Sequence, residues 1–147
     1  QCEEDLTRAP DRQDVLGTTA EALRRLFADA PVGRDAIGVM ELHDCFSITG
    51  LLALEASGLW GDLPGYRIVR EGQTRREGKL PVNTTGGLIG FGHYTGGTGI
   101  REAVDLWRQL TGRAEKAQVK LRQPYGLMIN MGGNDKTVTA LLLKAAD

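Results

Sequence analysis

The stretch Ile37-Gly38-Val39-Met40-Glu41-Leu42-His43-Asp44-Cys45-Phe46 decides the reading of this chain. Its first six residues are short, apolar and β-branched, which predicts a buried strand. That run passes directly into His43-Asp44-Cys45, three side chains able to do chemistry. An apolar run resumes at Ile48, Leu51, Leu52 and Leu54, which predicts a helix over about 47–57, with Ser47 as its cap and Gly58 as its stop. A strand that turns into a helix at a cluster of reactive side chains matches the strand ends where α/β sheets bind ligands.

Working outward, residues 1–16 are polar and contain Pro10, so an arm over 1–17 is expected before a domain over 18–147. Thr18 or Thr19 is placed to cap a helix over about 19–29, with Ala20, Leu23, Leu26 and Phe27 on one face. Residues 59–81 read as a long irregular stretch, and a loop of that length inside a compact domain is usually functional. A glycine-dense segment, 81–99, follows. It leads into an amphipathic helix over about 99–111, with Ile100, Ala103, Val104, Trp107 and Leu110 on one face and Gly112 closing it. Two final strands, 125–130 and 137–143, flank Gly132-Gly133-Asn134-Asp135 and predict an antiparallel hairpin. The order is that of a layered α/β domain, and its sheet looks short of a first strand.

Composition bounds the function. The chain has 147 residues, 41% of them hydrophobic and 25% charged, with a net charge of -1, so one packed core is expected. The scattered charge gives no footprint for nucleic acid or an anionic membrane. The cluster Arg70, Arg75, Arg76 and Lys79 reads either as a solvated loop or as a phosphate contact. Two isolated thiols, Cys2 and Cys45, make neither a disulfide framework nor a zinc site, so no metal is expected and a reducing, cytoplasmic compartment is. There is no basic-then-apolar leader and no initiator Met, which suggests a processed or truncated chain.

Both histidines sit at abrupt boundaries, His43 at a strand end and His93 inside Gly90-Phe91-Gly92-His93-Tyr94. Imidazoles in such places suit acid/base work near neutral pH. Cys45 reads equally as a reactive thiol, favoured by a neighbouring histidine and a helix start, or as a small buried hydrophobe. Asp44 can orient an imidazole or cap the helix that follows it. The glycine-rich segment matches neither a P-loop nor a dinucleotide fingerprint.

His43-Asp44-Cys45-Phe46 resembles the HDCF motif of sterol-carrier-protein-type thiolases, where other thiolases read NEAF. Asn83-Thr84-Thr85-Gly86-Gly87 through Gly92-His93 resembles the family's N-x-x-G-G…G-H-P block, and Gly96-Gly97-Thr98-Gly99 its G-A-T-G continuation. Asn130-Met131-Gly132-Gly133 stands where many members have C-x-G. The ordered set is much more specific than any one block. The resemblance implies the C-terminal half of a thiolase, with a mixed sheet, helices packed on it and a closing antiparallel strand pair. It also implies acyl transfer on 3-oxoacyl-CoA in lipid metabolism, by thiolysis or Claisen condensation, with coenzyme A as substrate and no cofactor held permanently. By the family pattern His93 activates the nucleophile, His43 positions a water or donor in the oxyanion hole, and Cys45 moves the α-carbon proton. Gly132 and Asn83 give oxyanion and backbone support. The nucleophilic cysteine of the C-x-S motif lies in the N-terminal half, so that half is an expected partner, as are a homodimer or larger oligomer. Two departures, Tyr94 for proline and Gly97 for alanine, stand beside His93, and Asn130 replaces a cysteine, so Tyr94 and Asn130 are candidate modifiers of the reaction. The alternatives are a thiolase-fold aldolase acting on a β-hydroxyacyl-CoA and a non-catalytic structural or binding subunit.

Overall fold

A computed structural model of the chain describes residue 12 and residues 14–145. Cys2 and most of the expected arm lie outside the described residues. The elements in chain order are α1 (Gly17–Asp29), β1 (Ile37–Leu42), α2 (Ser47–Ser57), α3 (Gly65–Arg70), α4 (Gly87–Phe91), α5 (Thr98–Leu110), β2 (Tyr125–Gly132) and β3 (Thr137–Lys144). The described strands form one mixed sheet in the order β1-β2-β3, with β1 parallel to β2 and β2 antiparallel to β3. The closing hairpin is as the sequence predicts.

Side-chain alternation along each strand divides the core into two layers. Met40 and Leu42 of β1, Leu127, Ile129 and Met131 of β2, and Val138 of β3 face a large cluster that includes Leu23 of α1 and Ala53 and Leu54 of α2. Val39 and Met128 point the other way and pack against Leu106 of α5. Burial on both faces explains why β1 reads as a continuous apolar run rather than an alternating one. Gly126 lets α5 approach the sheet, since a Cβ there would lie 3.2 Å from Leu106 Cδ2.

The outer edge of β1 is not bare. Met40 N–H donates to the Pro81 carbonyl and Asn83 N–H donates to the Met40 carbonyl. Beyond them the Asn83 side chain behaves like a strand's backbone, accepting from Leu42 N–H at 2.8 Å and donating to the Leu42 carbonyl at 2.9 Å. Asn83 therefore fixes the last residue before His43, and it does so in a left-handed conformation with φ 49°.

Four details depart from the sequence expectations. Neither Thr18 nor Thr19 caps α1 from outside, because both lie within its first turn. The cap comes from Asp135 in the β2–β3 turn, whose carboxylate accepts from Thr18 N–H at 2.9 Å and Thr19 N–H at 3.0 Å. A remote side chain thus satisfies the free N–H groups of the helix start and ties α1 to the hairpin. On α1 it is Ala22, not Ala20, that is buried beside Leu23. Ser47 is the first residue of α2 rather than its cap, and Ile48 of the expected apolar stripe is 59% exposed. The irregular stretch 59–81 contains α3, anchored by the fully buried Ile68. Pro64 and Gly65 give that segment the look of a loop. Gly65 is needed because α3 packs on the Leu51 carbonyl, where a Cβ would collide.

Among the described residues no helix is long and apolar enough to cross a membrane.

Candidate active site

The end of β1, the start of α2, the loop before α5 and the end of β2 enclose a cleft of about 950 Å³. His43, Cys45, His93, Asn130 and Gly132 all line it. Five residues singled out in three separate sequence blocks therefore converge on one place. Asn83 supports it from behind by holding Leu42. Tyr94 is not among the lining residues. Its ring lies over Gly97, where an alanine methyl would overlap the Cε2 and Cδ2 atoms. The two departures beside His93 are thus one packing event, in which the tyrosine occupies the space an alanine at 97 would need.

Asp44 has neither of the roles open to it from sequence. It makes no cap bond to α2. Its carboxylate accepts from Leu88 N–H at 2.6 Å, at the start of α4. It thereby fastens the glycine-rich block to the strand end that carries His43. Gly87, at φ 61°, must lack a side chain, since a Cβ would run into the Asp44 carboxylate and the Asn83 amide.

The imidazoles of His43 and His93 meet edge to face, with ring centroids 5.0 Å apart and planes at 87°. His93 Nδ1 lies 2.7 Å from Thr98 Oγ1. That hydroxyl in turn donates to the Tyr94 carbonyl at 3.2 Å. A hydroxyl has one proton to give, so Nδ1 is assigned as the donor to Thr98. In the neutral form of that tautomer Nε2 carries a free lone pair. This is the tautomer that a base needs if it is to take a proton from a thiol. Thr98, which the sequence marks as part of the Gly96-Gly97-Thr98-Gly99 block, supplies the hydroxyl that holds His93.

His43 is 5% exposed. Burial, then the neighbouring His93, lower its pKa, while Asn130 and Asp44 oppose that shift. The imidazole is accordingly neutral near pH 7. Cys45 is partly exposed at the start of α2, with Sγ 4.0 Å from Thr49 Oγ1. The basic cluster lies elsewhere. Arg76 donates to the Lys116 and Gln118 carbonyls and Lys79 to the Leu59 carbonyl, so these two residues brace loops.

α5 departs in part from a simple amphipathic reading: Ala103 and Leu110 of the expected face pack beside Leu106 on the sheet, whereas Ile100, Val104 and Trp107 line the cleft. Arg101, Glu102, Asp105 and Gln109 are its buried residues, together with Thr98 and Leu106. Ile100 is 70% exposed and Trp107 45%. Arg101 pairs with Asp105 at 2.6 Å, both side chains being almost wholly buried. Glu41 of β1 and Glu102 of α5 are fully buried, and none of their carboxyl oxygens has a regular hydrogen-bond partner among the described residues. Burial, with the nearby Asp105 adding to it at Glu41, pushes both carboxyls up to about 8. A charge inside an otherwise apolar strand, Glu41, was the sequence signal for this cluster.

These groups give stability a sign with pH. Unfolded carboxyls release their protons near pH 4.3, whereas the folded chain keeps those on Glu41 and Glu102 up to about 8. Between these limits the folded state binds more protons, so stability falls as pH rises, by at most about 1.4 kcal/mol per pH unit per group. Glu21, whose contacts with Arg24 and Arg25 lower it to about 2, acts below that window and with the opposite slope. The melting temperature is expected to drop between pH 5 and pH 8, and Glu41→Gln to flatten the drop. A melting profile for Glu41→Gln as steep as that of the unaltered protein would contradict this account.

Residues 3–145 match the family model described as thiolase C-terminal domain-like. The chain is 40% identical over 129 residues to an acetyl-CoA acetyltransferase of Methanothermobacter thermautotrophicus, covering 86% of this chain and 33% of that protein. It is 41% identical over 99 residues to sterol carrier protein 2 of Rattus norvegicus, covering 67% of this chain and 18% of that one. A solved structure titled Ltp2-ChsH2(DUF35) aldolase superposes with a TM-score of 0.72 at 22% identity, over 86% of this chain and 31% of its own, and so has the same fold. The chain therefore spans about a third or less of the length of these relatives. With its HDCF-type strand end, its glycine-histidine block and its closing hairpin gathered around one cleft, this chain belongs to the thiolase C-terminal domain-like family.

Proposed function

We propose that the chain supplies the acid/base and oxyanion half of a thiolase-type acyl-CoA acyltransferase, and that an N-terminal half supplies the nucleophilic cysteine. The observation that carries this reading is the His93–Thr98–Tyr94 hydrogen-bond chain, which leaves Nε2 bare in a cleft shared with His43 and Cys45. In thiolysis of a 3-oxoacyl-CoA, His93 Nε2 takes the proton of the incoming nucleophilic thiol, and the thiolate adds to the 3-keto carbon. The bond between the α- and β-carbons breaks, and the electron pair passes to the α-carbon as an enolate of the departing thioester. The Cys45 thiol gives that carbon its proton. Coenzyme A then gives its thiol proton to the Cys45 thiolate and displaces the acyl group, and the nucleophile's sulfur takes back its proton from His93. Cys45 takes the second acid/base role because Asn130 cannot titrate.

The partner half is supported by the exposed apolar side chains around the site. Phe46 and Ile100, both lining the cleft, are 69% and 70% exposed. Large apolar side chains left exposed at a site mark a surface that another body covers. The relatives extend well beyond the region this chain matches.

A second reading keeps the fold and changes the reaction to retro-aldol cleavage of a β-hydroxyacyl-CoA. It is favoured by Asn130 at a position where many family members carry cysteine. Product analysis separates the two. The assembled protein, given acetoacetyl-CoA and coenzyme A, is expected to release acetyl-CoA, and Cys45→Ser to abolish that release. Normal turnover by this chain alone, or cleavage restricted to 3-hydroxyacyl-CoA, would reject the thiolase reading.

A further inference from the structure

We infer that Asn130 and Glu102 form a positioning pair behind the cleft, in which the Asn130 carboxamide fixes the tautomer of His43 and the Glu102 carboxyl fixes the carboxamide. The use made of the fixed tautomer rests on the acyl-transfer reading above; the pair itself does not.

Asn130 lies on β2 between Ile129 and Met131, whose side chains belong to the opposite layer, so its own side chain points toward α5. Its Nδ2 lies against Gly99 in the first turn of α5, and a Cβ at position 99 would come within 2.5 Å of it. Glu102 is one turn further along the same helix. The amide end of Asn130 is thus directed at the helix that carries Glu102, and its carbonyl end is left for His43. Both Glu102 oxygens are buried without a regular hydrogen-bond partner among the described residues, as is His43 Nδ1. Buried polar groups left in that state are costly, and the carboxamide between them offers a donor to one and an acceptor to the other. The opposed influence of Asn130 on the two groups agrees with that polarity, since it favours charged Glu102 and charged His43 alike.

The consequence lies in the cleft. A ring N–H committed to the Asn130 carbonyl leaves the other nitrogen of neutral His43 as an acceptor. That nitrogen holds a water by one hydrogen and leaves the second hydrogen for a thioester oxygen. Three other groups bear on this imidazole: His93, Asp44 and, in the same cleft, Cys45.

The test is 15N NMR of the full chain with labelled histidine, in which two imidazoles report. His93, held by Thr98, serves as the internal reference. His43 is expected to show the shifts of a single tautomer. Asn130→Leu is expected to give averaged shifts and a lower His43 pKa, with His93 unmoved. Glu102→Leu should reproduce the averaging, and Glu102→Gln, whose carbonyl still accepts, should restore the single tautomer. Unchanged His43 shifts in Asn130→Leu would overturn the inference, and a rise in its pKa would show the carboxamide to be turned the other way. If Asn130→Leu fails to fold, Asn130→Asp replaces it, with a raised His43 pKa expected and an unmoved one overturning the inference. The readout needs no turnover, so absence of thiolysis with the shift pattern intact would reject only the acyl-transfer reading.

Discussion

Replacing His93 with alanine is expected to lower acyl transfer by the assembled enzyme by about 100- to 10,000-fold, the usual worth of a positioned general acid or base. The loss should appear mainly in kcat, because in the proposed reaction the imidazole acts on the proton moved in the transition state rather than on bound acyl-CoA. Stability should change little. His93 is exposed and its side chain makes one hydrogen bond, to Thr98, a contact whose net contribution is about 1 kcal/mol. Thr98→Val keeps the imidazole but frees its tautomer, and a smaller loss in the same direction is expected. Steady-state rates with acetoacetyl-CoA, beside a thermal melt, check both variants. Unchanged turnover for His93→Ala would favour the non-catalytic subunit.

The second large effect concerns folding. Arg101 holds Asp105 at 2.6 Å and donates to Thr85 Oγ1 at 3.2 Å, while Thr85 donates to the same carboxylate at 3.0 Å. Its guanidinium also lies over the Phe91 ring, 5.1 Å from the centroid. One side chain therefore joins α5 to both ends of the segment 85–91, which leads to His93. Arg101→Met leaves Asp105 buried beside Glu41 and Glu102 with the half-exposed Arg108, 3.7 Å away, as its remaining cation. Breaking one side of a buried pair costs about 3–5 kcal/mol. For a domain of this size that is a fall of roughly 10 °C in melting temperature. The double variant Arg101→Met, Asp105→Leu should recover much of the loss, because no uncompensated charge remains. Equal melting temperatures for the single variant and the unaltered chain would show that the cluster does not need its cation.

The resemblance in sequence was enough to bring His43, Cys45, His93, Asn130 and Gly132 to one cleft, because motif blocks keep their order when the fold keeps its topology. What sequence did not reveal was how those residues are held. Asp44 was open to two local roles and performs a third, 44 residues away, at Leu88 N–H. The helix cap on α1 comes from Asp135, more than 100 residues along the chain. Local capping rules look a few residues ahead, and a carboxylate delivered by another element escapes them. The tyrosine at 94 and the glycine at 97 read as two separate departures and prove to be one contact.

The α/β layering, the closing hairpin and the blocks that supply the cleft were legible in the sequence, since apolar periodicity and motif order are local properties of the chain. Which face of α5 is buried depends on how the helix packs in the fold. Periodicity names two faces of a helix and cannot say which will meet the sheet. Here Ala103, Leu106 and Leu110 meet the sheet, a polar face beside them carries Arg101, Glu102 and Asp105 into the interior, and Ile100 and Trp107 are left at the cleft. Burial of that polar face places the carboxyls of Glu41 and Glu102 together behind Asn130 and His43, and no spacing along the chain records it.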